Sequence, residues 1–114
     1  MREIKFRAWD KESKRIFNIA RFDFADHTVY SHLFACDGYL AENLKIMQYT
    51  GLTDKNGTEI YEGDIITYES VYGGIKTDYV EFNAGSFNPS QVVGWGVHRS
   101  VEVIGNKYEH PHLI

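Results

Sequence analysis

The chain has 114 residues, of which 43% are hydrophobic and 25% charged, and its net charge is −4. This balance is typical of a folded globular protein and excludes the disordered class, in which low hydrophobicity accompanies high charge. With one cysteine, no apolar leader and no apolar run of membrane-spanning length, we expect a single cytoplasmic domain without disulfides or a membrane anchor.

The first predicted element is a basic β-hairpin. From residue 4 to residue 10 the side chains alternate with the period of a half-buried strand, so that Ile4, Phe6 and Ala8 share one side and Lys5, Arg7 and Trp9 share the other. A polar stretch at 11–14 separates this strand from a second at 15–19. Residues 1–21 hold seven Lys or Arg against three acidic residues, whereas the remainder holds five against thirteen. The hairpin is therefore the basic part of an acidic protein.

The next segment, 22–39, has no sustained hydrophobic period, and we expect short strands around a loop. Asp37 follows as a candidate helix cap, because a short acceptor side chain satisfies a free backbone amide. It predicts a single helical turn through Leu40, Ala41 and Leu44.

Further strands are predicted at short intervals along the rest of the chain. They cover 45–50, 59–61, 65–68, 76–82, 92–97 and 101–104, with turns marked by Gly57, Gly63 and the pair Gly73 and Gly74. Such spacing indicates a small barrel or sandwich. We therefore expect one domain over 1–114, with a hairpin and an irregular segment in 1–45 and a barrel-like core in 46–114.

Several stretches of this sequence resemble the YopX family. They are KFRAWD at 5–10, QYTGL at 48–52, DKNG at 54–57, IYEGDI at 60–65, EVIGN at 102–106 and YE at 108–109. The resemblance implies a bacteriophage or prophage protein without an established molecular activity. It also implies a mostly β fold that contains an SH3-like barrel or roll, here preceded by the hairpin and with at most a short helical turn. Within IYEGDI, a tight turn at 62–64 favours a structural role over a catalytic one.

Motifs for catalysis, metals and nucleotides are weak. Cys36 has His27 and His32 nearby in sequence, but no motif identifies it as a nucleophile. Two sets of donors lack a recognised zinc spacing: His27, His32, Cys36 and Asp37 form one, and Glu109, His110 and His112 form the other. No phosphate-binding glycine loop occurs. We expect no catalytic residue, no metal and no cofactor, and keep a small metal-dependent hydrolase as a second alternative.

The strongest functional pattern is one of binding. The interpretation we favour is a noncatalytic module that binds a protein partner or self-associates, since Tyr side chains supply contact area at interfaces. The alternative is nucleic-acid binding through the basic hairpin, where cations accompany an aromatic ring on which a base can stack. The candidate binding residues are Lys5, Arg7, Trp9, Tyr49, Tyr61 and Asp64.

Overall fold

In a computed structural model, short runs of β-branched and aromatic residues form strands that polar or glycine-containing turns separate. The structure describes residues 4–31, 38–69, 73–83, 86–88 and 101–113. The strands are β1 (Phe6–Asp10), β2 (Arg15–Asn18), β3 (Arg21–Asp23), β4 (Thr28–Tyr30), β5 (Tyr39–Leu40), β6 (Leu44–Thr53), β7 (Glu59–Tyr61), β8 (Asp64–Glu69), β9 (Ile75–Tyr79), β10 (Glu81–Asn83), β11 (Ser86–Asn88) and β12 (Glu102–Asn106).

Helical structure in the described ranges is limited to two 3-10 turns, Ala41–Asn43 and Pro111–Leu113. The predicted fold class is therefore confirmed: the protein is mostly β, it begins with a β-hairpin, and its strands are consistent with a small barrel or roll. Over those same ranges, no helix has the length and hydrophobicity needed to cross a membrane.

The chain divides into two compact units. The N-terminal unit comprises residues 4–48, and the C-terminal unit begins at Tyr49 and continues to the end of the chain. Strand β6 belongs to both, because its first half pairs with β1 and its second half pairs with β7.

The N-terminal unit is built from two small antiparallel sheets. In the first, β1 lies between β2 and the first half of β6, so that Ala8 pairs with Phe17 on one side and Ile46 on the other. The second sheet has the order β3-β4-β5. Ala8 and Leu44 from the first sheet and Val29 from the second form one buried cluster. This shared apolar contact holds the two sheets together.

The structure refines two local expectations for this unit. The predicted apolar side of β1 is only partly buried: Ala8 is fully buried, but Ile4, which precedes the strand, is 75% exposed and Phe6, its first residue, is 39% exposed. The predicted helical turn is present as the 3-10 turn Ala41–Asn43, and Leu40 holds its N-cap position. Asp37 itself lies outside the described residues, as does the predicted strand at 92–97.

The C-terminal unit contains an antiparallel sheet in the order β12-β8-β9 and a β10-β11 hairpin. The central strand β8 is almost fully buried, as its position between two partners requires. Its side chains Ile66 and Tyr68 join Ile60, Val80 and Val101 in the core of the unit.

Candidate functional site

The basic face of β1 carries three of the candidate binding residues. Arg7 and Trp9 alternate with the buried Ala8, and all three candidates, Lys5 included, are half-buried. Across the strand pair, Trp9 lies opposite the exposed Lys45 of β6. The structure thus places a third cation, Lys45, beside Trp9, and the predicted basic surface is itself half-buried.

The other three candidates, Tyr49, Tyr61 and Asp64, lie together in the C-terminal unit and are buried. The rings of Tyr49 and Tyr61 face one another across the β6-β7 pair, with centroids 5.3 Å apart. The Asp64 carboxylate accepts a hydrogen bond of 2.8 Å from the Tyr61 amide. In this unit these side chains pack and hold a turn, whereas a binding surface requires exposure.

Gly63 fixes the position of the same turn. Its φ of 84° lies in the left-handed region, which glycine adopts without a steric penalty. Its amide donates to the Val80 carbonyl at 2.7 Å, and its carbonyl accepts from the Lys107 amide at 2.8 Å. The turn is therefore joined to the chain segments that follow β9 and β12.

Asp54 closes the β6-β7 turn and reaches a distant strand. One carboxylate oxygen accepts from the amides of Asn56 and Thr58 at 2.8 and 2.9 Å, and the other accepts from the Val103 amide at 2.9 Å. Next to it, Lys55 donates its amide to the Val101 carbonyl at 3.0 Å. The turn thus docks along β12 much as another strand would.

The same contacts control the ionisation of Asp54. Burial opposes ionisation, but the amides of Val103, Thr58 and Asn56, together with the charge of Lys55, lower the pKa of the carboxyl below its ordinary value of 3.8. Asp54 is therefore an ionised, structural acceptor near neutral pH and is poorly suited to act as a proton donor.

A third polar turn follows β12. The Asn106 side chain accepts from the amides of Tyr108 and Glu109 at 3.1 and 2.8 Å, and it donates to the Glu109 carboxylate at 2.9 Å. The Asn106 amide in turn donates to Nδ1 of His110 at 3.2 Å. Nδ1 of His110 is therefore an acceptor in this turn.

Gly105 makes room for that ring. A Cβ at this position would lie 2.7 Å from Nδ1 and 3.0 Å from Cγ of His110. We expect Gly105→Ala to cost about 1–2 kcal/mol of stability, because it displaces the ring and breaks its bond to Asn106. In a His110→Ala background the same change should cost less than about 0.5 kcal/mol, which a double-mutant cycle of urea denaturation measures. Equal costs in both backgrounds would contradict this role of His110.

The histidine, cysteine and carboxylate side chains do not converge in the described part of the protein. There, no group of three or more of them is placed to hold a metal ion. Glu109 and His110 are engaged in the Asn106 turn, and the predicted donors His32, Cys36 and Asp37 fall outside the described ranges.

A strongly exposed aromatic side chain lies at the tip of the β3-β4 hairpin. Phe24 is 80% exposed, and its ring stacks on Phe22 with centroids 4.6 Å apart. Asp23 holds the turn by accepting from the amides of Ala25 and Asp26 at 3.0 and 3.2 Å. The result is an exposed phenyl ring on a hydrogen-bonded turn, which we call the Phe24 tip.

Sequence reasoning missed both Asp54 and the Phe24 tip. The DKNG stretch predicts a turn, but nothing in it indicates that the carboxylate reaches Val103, 49 residues along the chain. For Phe24 a signal exists, because an aromatic residue flanked by Asp23 and Asp26 is typical of a turn and not of a core strand.

Comparison with known proteins finds a matching family and a similar solved structure. The family model described as YopX protein matches residues 5–114. The crystal structure of protein EF1440 from Enterococcus faecalis is similar to this structure with a TM-score of 0.68 and 25% sequence identity, over 99% of each chain. None of the curated proteins matches the sequence.

Proposed function

The chain belongs to the YopX family, and from that premise we propose that it is a noncatalytic accessory protein of a bacteriophage or prophage. It acts in the bacterial cytoplasm, where it binds a protein partner through exposed aromatic and apolar side chains. The Phe24 tip is the observation that carries this proposal.

The use of the buried polar groups supports a noncatalytic role. Asp54, Asp64 and Asn106 are each at least nine-tenths buried, and the side chain of each accepts hydrogen bonds from backbone amides of its own unit. Catalytic acids and bases need a proton-transfer partner on the substrate, and these groups face the protein backbone. The same hydrogen bonds hold the turns of the fold, which explains why a noncatalytic binding module has these buried polar residues.

The Phe24 tip has the features of an interface anchor. A large ring that is already exposed and already held by a turn loses little conformational freedom on binding, so burying it gives a large net gain. Asp23 and Asp26 flank the ring and favour a partner whose contact surface is basic around an apolar pocket. Nucleic acid is less well supported, because Lys5, Arg7 and Trp9 are half-buried.

The test is capture of a partner from a lysate of the bacterial host, followed by an affinity measurement with the purified partner. Phe24→Ala should weaken binding at least about 10-fold, as expected for an aromatic anchor. The control is Phe82→Ala, which removes a phenylalanine that is 47% exposed in the C-terminal unit and should leave the affinity unchanged. Failure to capture any protein, together with measured turnover of a substrate, would overturn the proposal.

A further inference from the structure

Strand β9 is an exposed edge. It pairs with β8 on one side, and among the described residues no strand pairs with its other side. Four of its five residues are exposed on both faces of the sheet, including Ile75 at 68%. An edge with free backbone groups and an exposed apolar side chain is a template for another strand.

The hydrogen bonds of Val80 show which backbone groups face outward. Val80 donates to the Asp64 carbonyl and accepts from the Gly63 amide, so both of its groups point toward β8. The direction of the backbone groups alternates along an antiparallel strand. The amides and carbonyls of Lys76 and Asp78 therefore also point toward β8, and those of Ile75, Thr77 and Tyr79 point to the open edge. The Tyr79 amide agrees with this direction, since it bonds to the Asp78 carboxylate at 2.9 Å and not to β8.

The sequence of this edge, IKTDY, is complementary to itself when it is reversed about Thr77. In that register Lys76 lies opposite Asp78 of the other copy, and Asp78 lies opposite its Lys76. On the other face, Ile75 lies opposite Tyr79 in the same reciprocal way. Lys76 and Asp78 share one face of the sheet, because they are the register partners of Tyr68 and Ile66 of β8. Burial, together with the nearby charge of Asp78, raises the pKa of Tyr68 on that face.

We infer that β9 pairs antiparallel with β9 of a second copy of this chain, about a twofold axis through Thr77. The outward residues Ile75, Thr77 and Tyr79 then exchange backbone hydrogen bonds with the other copy, and two reciprocal Lys76–Asp78 pairs form on one face. The Asp78 carboxylate moves from the Tyr79 amide to Lys76 of the second copy, which frees that amide for the new ladder. A symmetric contact of this kind closes as a dimer and does not propagate.

The contact is small, so the dimer is transient. One pair of five-residue strands buries less than the roughly 1,000 Å² that stable interfaces require. We therefore expect a dissociation constant on the order of 0.1–1 mM and a dimer that appears only at high protein concentration. This inference does not depend on the Phe24 tip, which lies on other strands.

Charge reversal tests the register. Lys76→Asp alone and Asp78→Lys alone place like charges opposite one another at both reciprocal positions, and each should weaken dimerisation at least about 10-fold in sedimentation velocity experiments. A 1:1 mixture of the two variants should restore association as a heterodimer, because one strand is then wholly acidic and the other wholly basic. Misfolding of the two variants does not explain such a recovery, because mixing would not restore the association of misfolded proteins.

Thr77→Pro provides a second, independent test. Its amide points to the open edge, so proline removes a central hydrogen bond of the dimer without breaking the pairing with β8. The variant should keep the wild-type circular dichroism spectrum and be monomeric. A wild-type protein that stays monomeric at about 1 mM, or a dimer that all three variants leave unchanged, would overturn the inference; in the first case the open edge serves a strand of another protein.

Discussion

Asp54→Ala is expected to lower the free energy of unfolding by about 2–4 kcal/mol. The substitution removes both carboxylate oxygens and leaves the amides of Asn56, Thr58 and Val103 without their acceptor. Hydrogen bonds to a charged group are among the stronger ones, and a buried donor left without an acceptor adds its desolvation cost. Urea denaturation followed by circular dichroism measures the loss.

Lys55→Ala is the matched control on the same turn. Its ion pair with Glu102 is short, at 2.9 Å, but the two side chains are 45% and 40% exposed. Solvent screens such a pair, and we expect a loss of less than about 1 kcal/mol. If Asp54→Ala costs no more than Lys55→Ala, the carboxylate does not hold the turn against β12.

The contribution of Asp54 also depends on pH. Its pKa is lower in the folded protein than in the unfolded chain, so the stabilisation is fully present above the ordinary value of 3.8 and is lost as the pH falls through the folded value. Asp54→Asn cannot ionise, and the variant should lose less stability than the wild type between about pH 5 and pH 2. Parallel acid profiles for the two proteins would contradict the lowered pKa.

Tyr61→Ala is expected to cause the largest loss of stability, about 3–5 kcal/mol. The ring is 5% exposed and packs against Tyr49, so truncation leaves a cavity and removes an aromatic pair. Tyr61→Phe keeps the ring and should cost much less, since the hydroxyl lies 3.5 Å from Glu59, at the limit of a hydrogen bond. Thermal denaturation of the two variants separates the ring from the hydroxyl.

The result distinguishes the two interpretations of this tyrosine. A ring kept for binding would be dispensable for folding, so Tyr61→Ala would unfold like the wild type and lose only affinity for a partner. A ring kept for packing lowers stability when it is removed, and the affinity of the folded fraction stays the same.

The strands were predictable because local chemistry determines them. Alternation marked β1, and Gly57, Gly63 and Gly73 marked turns, each with a positive φ in the structure. Lys14 was not predictable in this way, since its φ of 55° places a nonglycine residue in the left-handed region at the end of the β1-β2 turn. There Asp10 stabilises the turn by accepting from Glu12 and Ser13, which a glycine signal does not reveal.

The candidate site was less predictable, because exposure depends on contacts between distant segments. In the sequence, Tyr49 and Tyr61 cannot be distinguished from tyrosines at an interface. Only the β6-β7 register shows that they bury one another. Alternation did place Arg7 and Trp9 on one face, but it does not reveal that this face is half-covered. The position of Phe24 at a turn was visible in sequence, but its stacking on Phe22 required the hairpin.

Residues that build the fold of this protein are distinct from residues that bind a partner, and one side-by-side measurement tests that separation. The affinity for the purified partner is measured for the variants Asp54→Asn and Phe24→Ala, without urea and under conditions in which each variant is folded. We expect Asp54→Asn to bind within about 3-fold of the wild type and Phe24→Ala to bind at least about 10-fold more weakly. The opposite pattern, with affinity lost in Asp54→Asn and kept in Phe24→Ala, would contradict the account.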